Sequence, residues 1–234
     1  MTRPVSRLDA LHHALRRAIV EQALKPGTKL PEDTVAEQFQ VSRTIVRQAL
    51  ERLAGEELVV IVPNRGATVA RPTSDEAHDL FDVRVEIEDA VIRRICGKLG
   101  AADVTKLEAC VVCEGEAHRL KQPGYIRLAA EFHVMLAEMA GSPLLVRYMR
   151  QIVGRSALVL RLHGLPDWEA CNISEHRDLI DALSSGNLKR SRDLMRVHLR
   201  ALFRRALDGS KVEERVCLQS VLKPYAFRAG GTDG

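Results

Sequence analysis

The spacing of apolar positions changes period along the chain, and each change marks a structural boundary. Leu8, Leu11, Leu15 and Ile19 recur at helical spacing until Lys25-Pro26-Gly27 interrupts them. A second, short helix is expected from about Glu32 to Phe39, opened by Pro31. A third comes after Ser42, with Val46, Leu50 and Leu53 at i, i+4 and i+7 on one stripe. The period then shortens. Leu58-Val59-Val60-Ile61-Val62 runs without a polar residue, meets Pro63-Asn64-Arg65-Gly66 and returns through Ala67 to Ala70, which predicts a strand, a tight turn and a strand. Three helices and a hairpin predict a winged helix-turn-helix.

Beyond Arg71-Pro72-Thr73-Ser74, a linker whose Ser74 is suited to cap the next helix, the periodicity is helical almost to the end. Helices are expected near 75–98, 102–120, 123–140, 143–163, 167–184 and 187–208. They are divided by Gly100, Gln122-Pro123-Gly124, Gly141-Ser142-Pro143, Gly164-Leu165-Pro166 and Ser185-Gly186-Asn187. Such short connections favour antiparallel neighbours in a bundle. The fold class is therefore mainly α, with a winged helix-turn-helix at 1–72, an all-α antiparallel bundle at 73–208 and a tail at 209–234. Within the tail only Val216 to Tyr225 is apolar enough to dock.

The third helix carries the first recognisable chemistry. Ser42 can accept a hydrogen bond from a free backbone N–H of the first turn. Arg43, Thr44 and Arg47 then occupy the exposed N-terminal part, where a helix-turn-helix protein presents side chains to bases and phosphates. A solvated helix with two surface arginines is the alternative reading of the same residues. At the hairpin tip, Arg65 beside Gly66 is placed to meet a phosphate or a minor groove.

A length of 234 residues suits two domains. The formal net charge is +4, and residues 1–72 hold eleven Lys/Arg against eight Asp/Glu, so most of the excess lies where the DNA face is expected. Five cysteines, Cys96, Cys110, Cys113, Cys171 and Cys217, with no secretory signal ahead of them, predict a reducing cytoplasm and no need for disulfides. Cys110-Val-Val-Cys113 lies inside an expected helix without a second pair, so it reads as buried thiols. No apolar stretch approaches the roughly 18 residues of a membrane span, and a soluble protein is expected.

Three histidines sit on the apolar stripes of three different expected helices. His133 lies between Ala129 and Ala137, His176 precedes Ile180 and Leu183, and His198 falls with Met195 and Leu202. Each alone reads as a hydrogen-bonded core residue. Pointing inward from three helices, together they suit one divalent cation such as Zn or Ni. On the first helix of the bundle, Arg84 and Glu88 stand four apart, either as a surface ion pair or with the guanidinium turned inward to grip a carboxylate.

Three motifs in order, Pro26-Gly27-Thr28-Lys29-Leu30-Pro31, Val41 to Leu50, and Asn64-Arg65-Gly66, resemble those of the GntR family of bacterial transcription regulators. In the bundle, Phe132-His133, Glu175-His176 and His198-Leu199 are similar to the all-helical FCD effector domain of its FadR-type branch. The resemblance implies a homodimer whose winged helices bind a palindromic operator, probed by Ser42, Arg43, Thr44, Arg47, Arg65 and Gly66. It also implies a small carboxylate-bearing effector among Arg84, His133, His176 and His198, a metal on the three histidines, and repression as the mode. Two departures stand out. Thr34 occupies a place where many members have Arg, and Ala129 replaces the Asp that in metal-binding relatives stands one turn before the first histidine. Glu131 points to a different side of its helix and does not substitute. A His-ligated metallohydrolase with an appended DNA-binding-like domain is the alternative function. A structural nucleoid protein fits less well, because it would leave the larger domain without a use.

Overall fold

The computed structural model describes residues 6–122, 124–163, 173–208 and 217–227. Two compact units result: Met1–Arg71 together with Val212–Gly234, and Pro72–Lys211.

In the first unit, α1 (Arg7–Val20), α2 (Glu32–Phe39) and α3 (Arg43–Gly55) precede the antiparallel strands β1 (Val59–Val62) and β2 (Gly66–Val69). The apolar stripes read from the sequence form the core, where Leu11, Leu15 and Ile19 of α1 and Val46, Leu50 and Leu53 of α3 are all buried. Gln40 takes a left-handed conformation at the end of α2, which turns the chain sharply into α3. Glu56, just past α3, accepts from Nε of Arg16 at 2.9 Å and lies 2.5 Å from Nε2 of His12, tying the end of α3 back to α1. In the hairpin the N–H of Arg65 donates to the Val62 carbonyl at 3.0 Å, with Pro63 and the left-handed Asn64 between them. That is the residue order a type II turn requires.

The segment before α2 adds a pairing that periodicity does not reveal. Gly27 and Leu30 donate to the carbonyls of Val69 and Ala67 at 2.9 and 2.8 Å, and Val69 donates to Thr28 at 2.9 Å. Lys29 pairs opposite Thr68, so β2 is hydrogen-bonded on both edges. The segment expected to dock from the tail does so within this unit. α10 (Leu218–Leu222) and a 3₁₀ turn (Lys223–Tyr225) bury Leu222 and bring the Tyr225 hydroxyl to donate to Glu21 at 2.6 Å. The Arg17 guanidinium lies 4.9 Å from the centre of the Tyr225 ring, and Phe227 meets Phe39 edge-on at 5.5 Å. Residues 209–216, including Val216, lie outside the described residues.

The second unit is a bundle of α4 (Ser74–Ile95), α5 (Ala101–Arg119), α6 (Gly124–Met139), α7 (Pro143–His163), α8 (Ile173–Ser184) and α9 (Leu188–Asp208). The early part of the helix expected near 167–184 and the break at Gly164-Leu165-Pro166 lie outside the described residues. The cap of α4 is Thr73 rather than Ser74. Thr73 Oγ1 accepts from the N–H of Glu76 at 3.2 Å, and the Glu76 carboxylate accepts from the N–H of Thr73 at 2.7 Å. Only Thr73 has an acidic residue three positions on to close this reciprocal box. Val91, Ile92, Leu107, Val111, Phe132, Leu136, Met149, Val159 and Leu183 form the fully buried centre. The expected burial of the cysteine pair does not hold: Cys113 is exposed and Cys110 half-buried, because Cys113 falls with exposed Val112 on the outer face of α5. Burial pushes the Cys110 thiol up to about 11, which makes it a poor nucleophile. Among the described residues no helix is long and apolar enough to cross a membrane.

After α4 the chain turns through Gly97 at φ +70°, whose N–H donates to the Leu183 carbonyl at 2.8 Å. A Cβ there would lie 3.3 Å from the Cα of Gly186, so two backbones meet where no side chain fits. Gly97→Ala is expected to cost about 1–2 kcal/mol from the left-handed conformation alone, with the steric contact adding to it. Chemical denaturation measures the loss, and an unchanged midpoint would contradict this account of the corner.

Candidate functional site

The recognition surface is built from local rules. Ser42 has extended backbone angles, and its Oγ accepts from the N–H of Ile45 at 3.3 Å, which starts α3 and leaves Arg43, Thr44 and Arg47 on its exposed first turns. The two arginines are held from α2. Nε of Arg47 donates to both carboxylate oxygens of Glu32 at 2.9 and 2.8 Å, and Nε of Arg43 lies 2.5 Å from Oδ1 of Asp33. Glu32 and Asp33 escaped the sequence reading because acidic residues in a first helical turn are already explained by the helix dipole. Thr34 is half-buried on α2. Arg65 and Gly66 are exposed at the hairpin tip, and Gly66 takes φ +82° where the strand restarts.

In the bundle, α6, α8 and α9 carry His133, His176 and His198 inward, and the core places all three within reach of one point. Each is at least 96% buried, and one ring nitrogen from each lies within 4.8 Å of the other two. Phe132 stacks on His176 with ring centres 4.1 Å apart, fixing the plane of that imidazole. Each histidine also has a carboxylate beside it. Nδ1 of His176 hydrogen-bonds Glu114 of α5 at 2.9 Å, and Nδ1 of His198 hydrogen-bonds Glu175 of α8 at 2.7 Å. Nδ1 of His133 is 2.8 Å from Glu88 of α4, close but without hydrogen-bond alignment.

Burial disfavours the imidazolium and pushes His133 and His198 down to about 4, so both rings are neutral near pH 7 and offer a lone pair. Burial alone would raise the Glu88 carboxyl, but His133 and Arg84 beside it outweigh that and bring it down to about 2. Arg84 does pair with Glu88, with Nε donating at 3.2 Å. The pair is fully buried, however, and Arg84 also lines a cavity. That cavity, about 40 Å³, is bordered by Arg84, Tyr125, Ala129, His133, Ser156 and His198. It has room for a few water-sized groups. Ala129, one turn before His133, thus faces the same space, while Glu131 is engaged with Arg127 at 2.6 Å.

The arrangement gathers neutral nitrogen donors, two buried nitrogens without a hydrogen-bond partner (Nε2 of His176 and Nδ1 of His133), and a guanidinium at the cavity wall. Nothing in the spacing of the sequence announced Glu88, Glu114 or Glu175 as partners of these histidines. Glu175 precedes His176 directly, yet it serves His198 on the next helix.

Comparison with known proteins gives the arrangement its relatives. Residues 8–69 match the family "Bacterial regulatory proteins, gntR family", and residues 79–201 match the FCD domain. The chain is 30% identical over 191 residues to an HTH-type transcriptional regulator in an unstable DNA locus of Streptomyces ambofaciens, covering 81% of this chain and 80% of that protein. It is 33% identical over 140 residues to the HTH-type transcriptional repressor RspR of Escherichia coli K12, covering 59% and 60% of the two chains. The solved structure of E. coli McbR/YncC has the same fold, with a TM-score of 0.75 at 22% identity over 86% of this chain and 98% of that one. The hydrolase alternative finds no support in these matches.

Proposed function

The chain belongs to the gntR family of bacterial regulatory proteins and carries its FCD domain, and from that premise we propose how this transcriptional regulator, which is not an enzyme, reads DNA and senses its signal. Arg43, Thr44 and Arg47, positioned by the Ser42 cap, read base edges and phosphates in the major groove, and Arg65 with Gly66 at the wing tip contacts the backbone or the adjacent minor groove. The protein works in the cytoplasm as a homodimer on a two-fold related pair of half-sites. On the second unit Val83 of α4 and Leu144 and Tyr148 of α7 are exposed apolar side chains that such an assembly would cover. Repression is the mode we assign, as in RspR.

The bundle senses. Arg84 grips the carboxylate of a small acidic effector at the cavity wall, and the cavity widens to admit it. The donor set fits a divalent cation such as Zn or Ni: His133, His176 and His198 would hold it, and the unpartnered buried nitrogen of His176 is the observation that carries this reading. When bound, the cation supplies an electrophilic centre for an anionic oxygen of the effector. Effector binding changes DNA affinity only as far as one dimer geometry binds it better than the other, and a preference of a few kcal/mol shifts occupancy substantially.

Selection from a random duplex pool is expected to enrich a symmetric pair of half-sites, with affinity falling steeply as salt rises. Arg47→Ala is expected to weaken that complex by about 1–3 kcal/mol. Recovery of no enriched pair would contradict sequence-specific regulation through α3. Arg84→Gln keeps a donor for Glu88 but removes the charge, so operator binding should persist while the response to a carboxylate effector is lost; an unchanged response would make Arg84 purely structural. Calorimetric titration of chelator-stripped protein is expected to show uptake of one Zn²⁺ or Ni²⁺ per chain, abolished in His176→Ala. If the wild type takes up neither ion, the histidines are core hydrogen-bonding residues.

A further inference from the structure

We propose that Glu114 and Glu175 set the affinity of the histidine centre for a divalent cation from outside its coordination shell, supplying through the imidazoles the negative charge that no direct ligand brings. The inference rests on the metal reading above. Among the described residues the convergent donors are three imidazoles with no carboxylate oxygen among them, and the cavity-facing position one turn before His133 is Ala129. Three neutral ligands leave both charges of the cation uncompensated in a buried site, where the cost of unpaired charge is severe.

Four charged side chains stand around the rings, and they differ in what they can offer. Glu88 is paired with Arg84, so its charge is already cancelled. Glu114 and Glu175 are paired with His176 and His198 instead, and their two formal negative charges match those of one divalent cation. Each accepts from Nδ1, which fixes the tautomer with the proton on that nitrogen and turns the Nε2 lone pair toward the centre; the same bond makes the imidazole a stronger donor.

Glu114 comes from α5, a helix that contributes no histidine to the centre. α5 approaches α8 so closely at Gly115 that a Cβ there would lie 3.2 Å from Cδ1 of Ile173. This close approach is what lets Glu114, fully buried, reach His176. These are positioning residues and do not touch the cation.

Glu114→Gln and Glu175→Gln test the proposal, since the amide oxygen still accepts from Nδ1 while the charge is gone. Competition of Zn²⁺ against a chromophoric chelator is expected to give an affinity about 10–100-fold lower in each variant, with Glu131→Gln unchanged as the control. Co²⁺ in place of Zn²⁺ should give d–d bands of the same energy and intensity in wild type and variants, because the inner ligands are the same. Ala129→Asp brings a charge back as a direct ligand and should raise affinity by a larger factor in Glu114→Gln than in the wild type, whereas a merely structural role for Glu114 would make the two effects independent. If the wild type binds Zn²⁺ and both variants bind it equally well, the proposal is overturned while the metal reading stands. If the wild type binds no divalent ion, the metal reading itself falls. Altered Co²⁺ bands in Glu114→Gln would make Glu114 an inner ligand and overturn the proposal as well. Glu175, about a quarter exposed, keeps the test available should the buried Glu114 variant fail to fold.

Discussion

The helical unit is organised around ionisable groups that its own core has taken out of water. Arg84, Glu88, Glu114, His133, His176 and His198 are all nearly inaccessible, and Glu175 closes the set from the edge. An isolated buried charge is far too costly to keep, so such a group survives only as a set of partners that satisfy one another. α4 supplies the Arg84 and Glu88 pair, α5 and α8 meet through Glu114 and His176, and α8 and α9 meet through Glu175 and His198. α5, α8 and α9 are therefore held to a fixed register by directed polar contacts between them, in addition to nonspecific apolar packing. Among the described residues that satisfaction stops at Oε2 of Glu88, Nδ1 of His133 and Nε2 of His176, and of these Nε2 of His176 is the nitrogen left open by the bond to Glu114. In the proposed reading that nitrogen is where the cation binds.

The DNA-reading unit obeys a different logic, because its key side chains stay in water. Glu32 and Asp33 engage Arg47 and Arg43 on exposed surface, where an ion pair is worth little to stability. Their value is orientation: each carboxylate lies against the Nε edge of its arginine and narrows the rotamers available to it. The sheet beneath the wing is strengthened by the Gly27 to Leu30 segment, and the docked C-terminal helix buries Leu222 in the same small unit, with Tyr225 and Phe227 packed on Glu21 and Phe39 at its surface. A unit this short buries limited apolar area by itself, so each added element matters to its rigidity.

The features legible in the sequence were local. The Ser42 cap, the stripes of α1 and α3, the hairpin with its Pro63-Asn64 turn and the inward placement of three histidines all derive from spacing within a dozen residues, and the structure has each of them. The features that stayed hidden depend on long-range approach. Glu114 meets His176 across 62 positions, and the 27–30 segment finds β2 some 40 residues later; neither leaves a periodic trace. The cap at Thr73 and the exposure of Cys113 were misread for smaller reasons. Adjacent Thr and Ser compete for one role that only the residue three further on decides, and a helix interior does not imply burial on every face.

X-ray absorption at the metal K edge, on protein loaded with one equivalent of Zn²⁺, examines the centre most directly. The account predicts a first shell of three imidazole nitrogens completed by oxygen, with no sulfur, and loss of one imidazole when His176 is replaced. A first shell containing cysteine sulfur, or fewer than three imidazoles in the wild type, would contradict it, because the buried set would then have been assembled for some purpose other than holding a cation.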